Sequence, residues 1–189
     1  MSVSRLSQTS LQNAFQKYNN VWDGTTAVGS MDALGVVVVP SAGVSSITFS
    51  SIPSTYTHLQ IRGISQGSGI ATNAIQFNGD TASNYNSHYL YGDGSSAASG
   101  SLLYTYGYGF LSSGSTNIFG GAVIDILDYA NTNKYKTYRS LTGADQNGSG
   151  YIELLSGAWR NTTAVTSITL APITGNFSQY SSFALYGVK

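Results

Sequence analysis

Cysteine is absent from this 189-residue chain, which excludes a disulfide framework and any thiolate metal site. Charge is almost as scarce: Asp, Glu, Lys and Arg together make up 8% of the residues, against roughly 25% in an average soluble domain. Eight acidic and eight basic side chains balance to a formal net charge of zero, so no long-range field draws the chain towards nucleic acid or an anionic membrane surface. Two histidines, His58 and His88, are too few for a multi-histidine zinc site, and no H-E-x-x-H stretch holds them. The longest aliphatic run, Val36 to Val39, is far too short to span a bilayer, and MSVSRLSQTS lacks the apolar stretch of a signal peptide. The expectation is a protein made in the cytoplasm, with no cofactor, no membrane association and no nucleic-acid partner.

What the chain does contain is aromatic and small. Aromatics stand at 12%, with 14 tyrosines, apolar residues at 41%, and glycine at 22 copies. Disordered chains are poor in aromatic and β-branched residues, so this composition predicts a folded chain with a real core. Net charge and interspersed surface charge are what keep soluble proteins apart. A chain with so little of either is expected to have its surfaces occupied by other subunits.

Along the chain, residues 9–19 give the one convincing helical pattern. Thr9 and Gln12 have capping-box spacing, and Leu11, Phe15 and Tyr18 share a face. Residues 24–35 have no sustained period and read as a connector. Residues 1–35 are therefore expected to form an N-terminal docking arm, helical or extended, with Leu11, Phe15, Tyr18 and Trp22 as its anchors. Too short to be stable alone, such an arm has to dock somewhere.

From residue 36 onward β patterns recur, at 36–39, 44–51, 57–64, 73–78, 87–91, 101–111, 118–127, 134–141, 151–155, 165–171 and 182–188. Short strands at this spacing predict an antiparallel β-sandwich over 36–189. The stretch 118–127 is apolar at both parities, with Ile124 on one and Val123 on the other, and is expected to be buried on both faces. The Ser- and Gly-rich segments 92–101 and 112–117 are expected to be exposed loops.

Three constellations have the form of chemical sites. Gly63-Ile64-Ser65-Gln66-Gly67 fits the G-x-S-x-G elbow, and Asp80 and His88 follow in hydrolase order. A nucleophile elbow needs a helix directly after the serine, whereas Gln66-Gly67-Ser68-Gly69 is a turn. Asn78, Asp80 and Asn84 gather oxygen ligands in one loop, but the spacing misses the EF-hand pattern, and Asn-Gly between strand residues is a hairpin signal. Finally, 102–111 places Tyr104, Tyr106 and Tyr108 at one parity of a single strand. Such a strip serves either as core or subunit interface, or as a stacking surface for sugar rings.

The stretch from Ser46 to Gly92 resembles small structural proteins of tailed bacteriophages, including cyanophages. The resembling elements are Ile52-Pro53, Tyr56, His58 to Ile61, Phe77 to Asp80, Asn84-Tyr85 and His88, with the closing Ser182 to Gly187. The resemblance implies an all-β, jelly-roll-like domain, homotrimeric, on a phage virion, and no catalytic residue comes with it. The arm favours a capsid-decoration protein whose partner is the major capsid protein or another shell or tail protein. The alternative is a tail-fibre or receptor-binding tip that engages host-surface glycan. A polysaccharide hydrolase is the third reading, and it would need paired carboxylates roughly 5–9 Å apart in a cleft.

Overall fold

The computed structural model describes residues 30–189. The expected helix over 9–19, and with it Leu11, Phe15, Tyr18 and Trp22, lies outside the described residues. The strands are β1 (Met31–Val38), β2 (Ile47–Phe49), β3 (His58–Ser65), β4 (Ala71–Phe77), β5 (Tyr85–Gly92) and β6 (Ala97–Tyr104). They continue as β7 (Gly107–Ser112), β8 (Gly120–Leu127), β9 (Lys136–Asp145), β10 (Gly150–Trp159), β11 (Ile168–Pro172) and β12 (Ser182–Val188). The described residues contain no helix.

Eight strands form one antiparallel sheet in the order β1-β12-β3-β8-β9-β10-β5-β6, and four form a second in the order β2-β11-β4-β7. The chain passes repeatedly between the two, which makes the fold an antiparallel, jelly-roll-like sandwich of unequal sheets. The driving pattern is strict alternation. In β9, Lys136, Tyr138, Ser140, Thr142 and Ala144 are buried while Thr137, Arg139 and Leu141 are exposed. In β10 the buried set is Tyr151, Glu153, Leu155, Gly157 and Trp159. The small sheet lays Ile75, Phe77, Ile168 and Leu170 on Leu59, Ile61, Ile124 and Ile126 of the large one in a single cluster. Each such side chain contributes about 1.5–3 kcal/mol on leaving water.

The abundance of glycine beside tyrosine has a packing cause. A Cβ on Gly157 would lie 2.1 Å from Cζ of Tyr138, and one on Gly187 would lie 2.4 Å from Cγ of Tyr56. The rings lie flat on backbone that only glycine leaves bare. Tyr138, fully buried, completes the arrangement through a 2.9 Å hydrogen bond with Ser87 Oγ.

The structure departs from the sequence expectations at four places. β1 begins at Met31 and pairs with β12 from Met31↔Val188 onward, so the sandwich starts inside the stretch expected to be arm and connector. The stretch 101–111 is not one strand: β6 ends at Tyr104, the chain turns at Thr105-Tyr106, and β7 starts on the other sheet at Gly107. The segment 92–101 is only partly a loop, because Ala97 to Gly100 open β6. As an edge strand that buries neither face, β6 needs no apolar residues to form. Finally, β8 is buried on one face only: Ala122, Ile124 and Ile126 point inward, while Val123 is 39% exposed. Its second apolar parity belongs to the outer surface of the large sheet.

Candidate functional site

That outer surface is the main candidate. Cross-strand register aligns Val36, Ala184, Arg62, Val123, Leu141, Leu154 and Leu90 in one row across seven strands. The next row along holds Val38, Ile64 and Ile152, with Gly121 and Gly143 paired between the two isoleucines. Val36, Val38, Ile152, Leu154, Leu141 and Leu90 are each more than half exposed. Arg62 is the one charged side chain in these two rows. The glycine pair floors a shallow pit of 810 Å³ lined by Ile64, Ile152, Val123, Leu141 and Phe119 together with the charged Arg62 and Asp145. The third row is polar: Gln60 Nε2 donates to Asp125 Oδ1 at 2.8 Å, and Asp125 sits opposite Arg139. One end of the face is therefore apolar and ridged, and the other is polar with both signs of charge.

The tyrosines expected on one strand are divided by the corner. Tyr104 and Tyr106 stack on each other outside the core, with ring centroids 5.2 Å apart and planes 10° from parallel. Tyr104 is 44% exposed. Tyr108 turns inward, stacks on Tyr89 at 5.7 Å, and accepts a 3.1 Å hydrogen bond from Thr72 Oγ1. No common strip of three exists. Burial pushes the Tyr108 phenol up to about 12, with Thr72 opposing and the neighbouring Glu153 reinforcing the shift.

Glu153 is the group that sequence reasoning missed. It lies on the inner face of β10, in register with Thr142 and Tyr91, and is 1% exposed. Its Oε1 has no hydrogen-bond partner among the described residues. Burial raises its carboxyl to about 7, and the Tyr108 phenol partly offsets this. A carboxyl near neutrality among tyrosines has the acid–base character that catalysis uses. Glu153 is nevertheless almost wholly shielded from solvent, and among the described residues no second carboxylate acts on its titration. Its alternation with Tyr151 and Leu155 was a readable signal that it faces the aromatic side.

The hydrolase constellation is not assembled. Ser65 is buried at the end of β3, with no helix after it and its Oγ without a hydrogen-bond partner among the described residues. Asp80 sits in the turn before β5 and is bound to Trp159, while His88 is on the exposed face of β5. The oxygen cluster is likewise occupied. Asn78 Oδ1 accepts the amide hydrogens of Thr166 and Ser167 at 2.8 and 3.1 Å. Asp80 accepts from Ala82 N, Asn84 Nδ2 and Trp159 Nε1 at 2.7–2.8 Å. Burial works to raise the Asp80 pKa, but hydrogen bonds from Asn84, Trp159 and Ala82 outweigh it and hold the carboxyl below its ordinary range. Tyr85 closes the same loop, accepting from Phe77 N at 3.0 Å and donating to Asp80 O at 3.1 Å. The FNGDTASNY segment is thus a structural clasp.

No protein-family model and no curated protein matches the chain. Among solved structures, the marine PL-14 alginate lyase from Aplysia kurodai is 8% identical, with 81% of this chain and 80% of that chain covered, at a TM-score of 0.25. Similarity at that level carries no argument about fold or activity.

Proposed function

We propose that this protein is a non-catalytic structural subunit of a bacteriophage particle, of the capsid-decoration type, attached through its N-terminal arm. The observation that supports this most is the outer face of the large sheet, where two adjacent rows of exposed aliphatic side chains contain a single charge, Arg62. Soluble monomers rarely expose apolar patches beyond a few hundred Å², so such a face is suited to burial in an assembly. The phage assignment rests on the resemblance of residues 46–92 and 182–187, and the arm assignment on the pattern of Leu11, Phe15, Tyr18 and Trp22. Electron microscopy of intact particles tests the reading directly. Density for the sandwich on the capsid, lost when the full-length chain carries Phe15→Asp and Trp22→Asp, is the expected result. Particles that lack the protein altogether refute it.

A second reading is favoured by one feature. The Tyr104–Tyr106 stack at the β6–β7 corner, with Tyr104 exposed and Tyr106 half-buried, presents a flat aromatic surface with hydroxyl groups at its edge, which is how proteins hold sugar rings. A glycan-binding tip would show glycan-array signals that disappear in Tyr104→Ala. No array signal, or one unchanged in that variant, removes this reading.

A further inference from the structure

We propose that the apolar end of the large sheet's outer face is the contact between two copies of this chain, packed face to face about a two-fold axis. The proposal deepens the assembly reading and rests on it, with a two-fold contact in place of the homotrimer that the resemblance implies.

Three features of the face point to a second copy as its occupant. The first is extent. The eight large aliphatic side chains of the two rows are between 39% and 64% exposed. They extend in register over seven adjacent strands, about 29 Å at the usual strand spacing of roughly 4.8 Å, a width on the scale of a standard interface. The second is shape. A ridge made by Val123, Leu141, Leu154 and Leu90 runs beside the pit floored by Gly121 and Gly143. Ridge and pit are neighbours on one surface, so a two-fold axis brings the ridge of each copy to the pit of the other. That is the self-complementarity an isologous contact requires.

The third feature is charge. The two apolar rows carry only Arg62, and the bordering row carries Asp125 and Arg139 side by side. The pit is lined by Arg62 and Asp145, so charges of both signs lie within reach of a second copy, and the border offers opposite charges to each partner. Aligned sheet packing of this kind places two sheets about 10 Å apart with their side chains interleaved.

Two full-length variants test the contact without touching the core. Leu141→Lys combined with Leu154→Lys adds charge to the ridge at positions 52% and 55% exposed. Gly121→Leu fills the pit uncharged, at a position where a new Cβ meets nothing within 4 Å. Sedimentation equilibrium of the purified wild type is expected to show a dimer. Each variant should weaken association at least tenfold, with far-UV circular dichroism unchanged.

A wild type that stays monomeric at roughly 100 µM, where even a weak contact would be populated, overturns the proposal. So does a trimer, or a dimer that survives both variants. A monomer that starts to associate once Phe15 and Trp22 are replaced by Asp would place residues 1–29 over the face instead, which also overturns it. A dimer lost in both variants, in a protein absent from particles, keeps this contact and removes the virion reading, so the two failures are distinguishable.

Discussion

Trp159 donates its indole N–H to Asp80 Oδ2 at 2.7 Å across 79 residues of sequence, and ties the end of β10 to the turn between β4 and β5. Trp159 is 1% exposed, and its ring packs on Phe77 and Tyr85 at centroid distances of 5.6 and 6.4 Å. The carboxylate therefore fixes the position of the largest side chain in the core.

Asp80→Ala leaves that indole N–H unpaired, together with the amides of Ala82 and Asn84 that share the carboxylate. The loss is expected to be about 1–3 kcal/mol, the usual penalty for stranding a buried donor. Because the folded carboxyl titrates below its ordinary value of 3.8, its contribution is fully present above that value and is lost as pH falls through the lower, folded one. Urea denaturation at pH 7 and pH 3 checks both statements: the gap between wild type and variant narrows at pH 3.

Glu153 has the opposite sign. Its carboxyl is raised from 4.5 to about 7, so between those values the folded state holds a proton that the unfolded state has released, and stability falls as pH rises. The full shift corresponds to at most about 3 kcal/mol. Glu153→Gln removes the titrating group while keeping a polar side chain of the same size. The expected outcome is a flatter profile of melting temperature against pH from 4.5 to 7, and a variant more stable than wild type at pH 8. A profile parallel to wild type would show that the site is better solvated than its 1% exposure implies.

The ring-on-glycine packing gives a sharper effect. Gly157→Ala puts a methyl 2.1 Å from Cζ of Tyr138, a ring already held by Ser87 and by the close approach of Gly107. Neither the ring nor the strand has room to yield, so the variant is expected to lose about 2–4 kcal/mol, at the severe end for a single methyl. The double variant Gly157→Ala/Tyr138→Leu relieves the clash and should recover part of the loss in thermal melts.

Much of this fold was legible in single strands and little of it in their arrangement. Leu59 and Ile61 alternate with Gln60 and Arg62, and β3 follows that pattern with the aliphatics inside. The stretch LLYTYGYGFL defeated the same reasoning, because its period-two pattern continues through Thr105-Tyr106, where the chain leaves one sheet for the other. Parity states that residues share a side; it does not state where a strand ends. The candidate face was invisible for a related reason. Leu141, Leu154 and Leu90 are ordinary outward residues of three separate strands, and become one surface only through the register that sets them side by side. The FNGD and Tyr85 signals were visible, but their role as a clasp depends on Trp159 and Thr166, which lie far along the chain.

Neighbouring residues on β8 separate fold from function. Ile124 is 1% exposed and faces the core between Ile61 and Ser140, whereas Val123 is 39% exposed and faces outward between Arg62 and Leu141. Ile124→Asp forces an unpaired carboxylate into the apolar interior, a penalty of several kcal/mol that exceeds what a domain of this size is expected to spare. The variant should fail to fold, with loss of the β circular-dichroism signal. Val123→Asp places the same carboxylate in water beside Arg62, where surface substitutions change stability by about 0.5 kcal/mol or less. It should fold normally with a near-wild-type melting temperature, yet lose affinity for the second copy proposed to cover the outer face. If both variants fold, the inward assignment of Ile124 is wrong; if neither does, β8 is buried on both sides and the outer face is not a free surface.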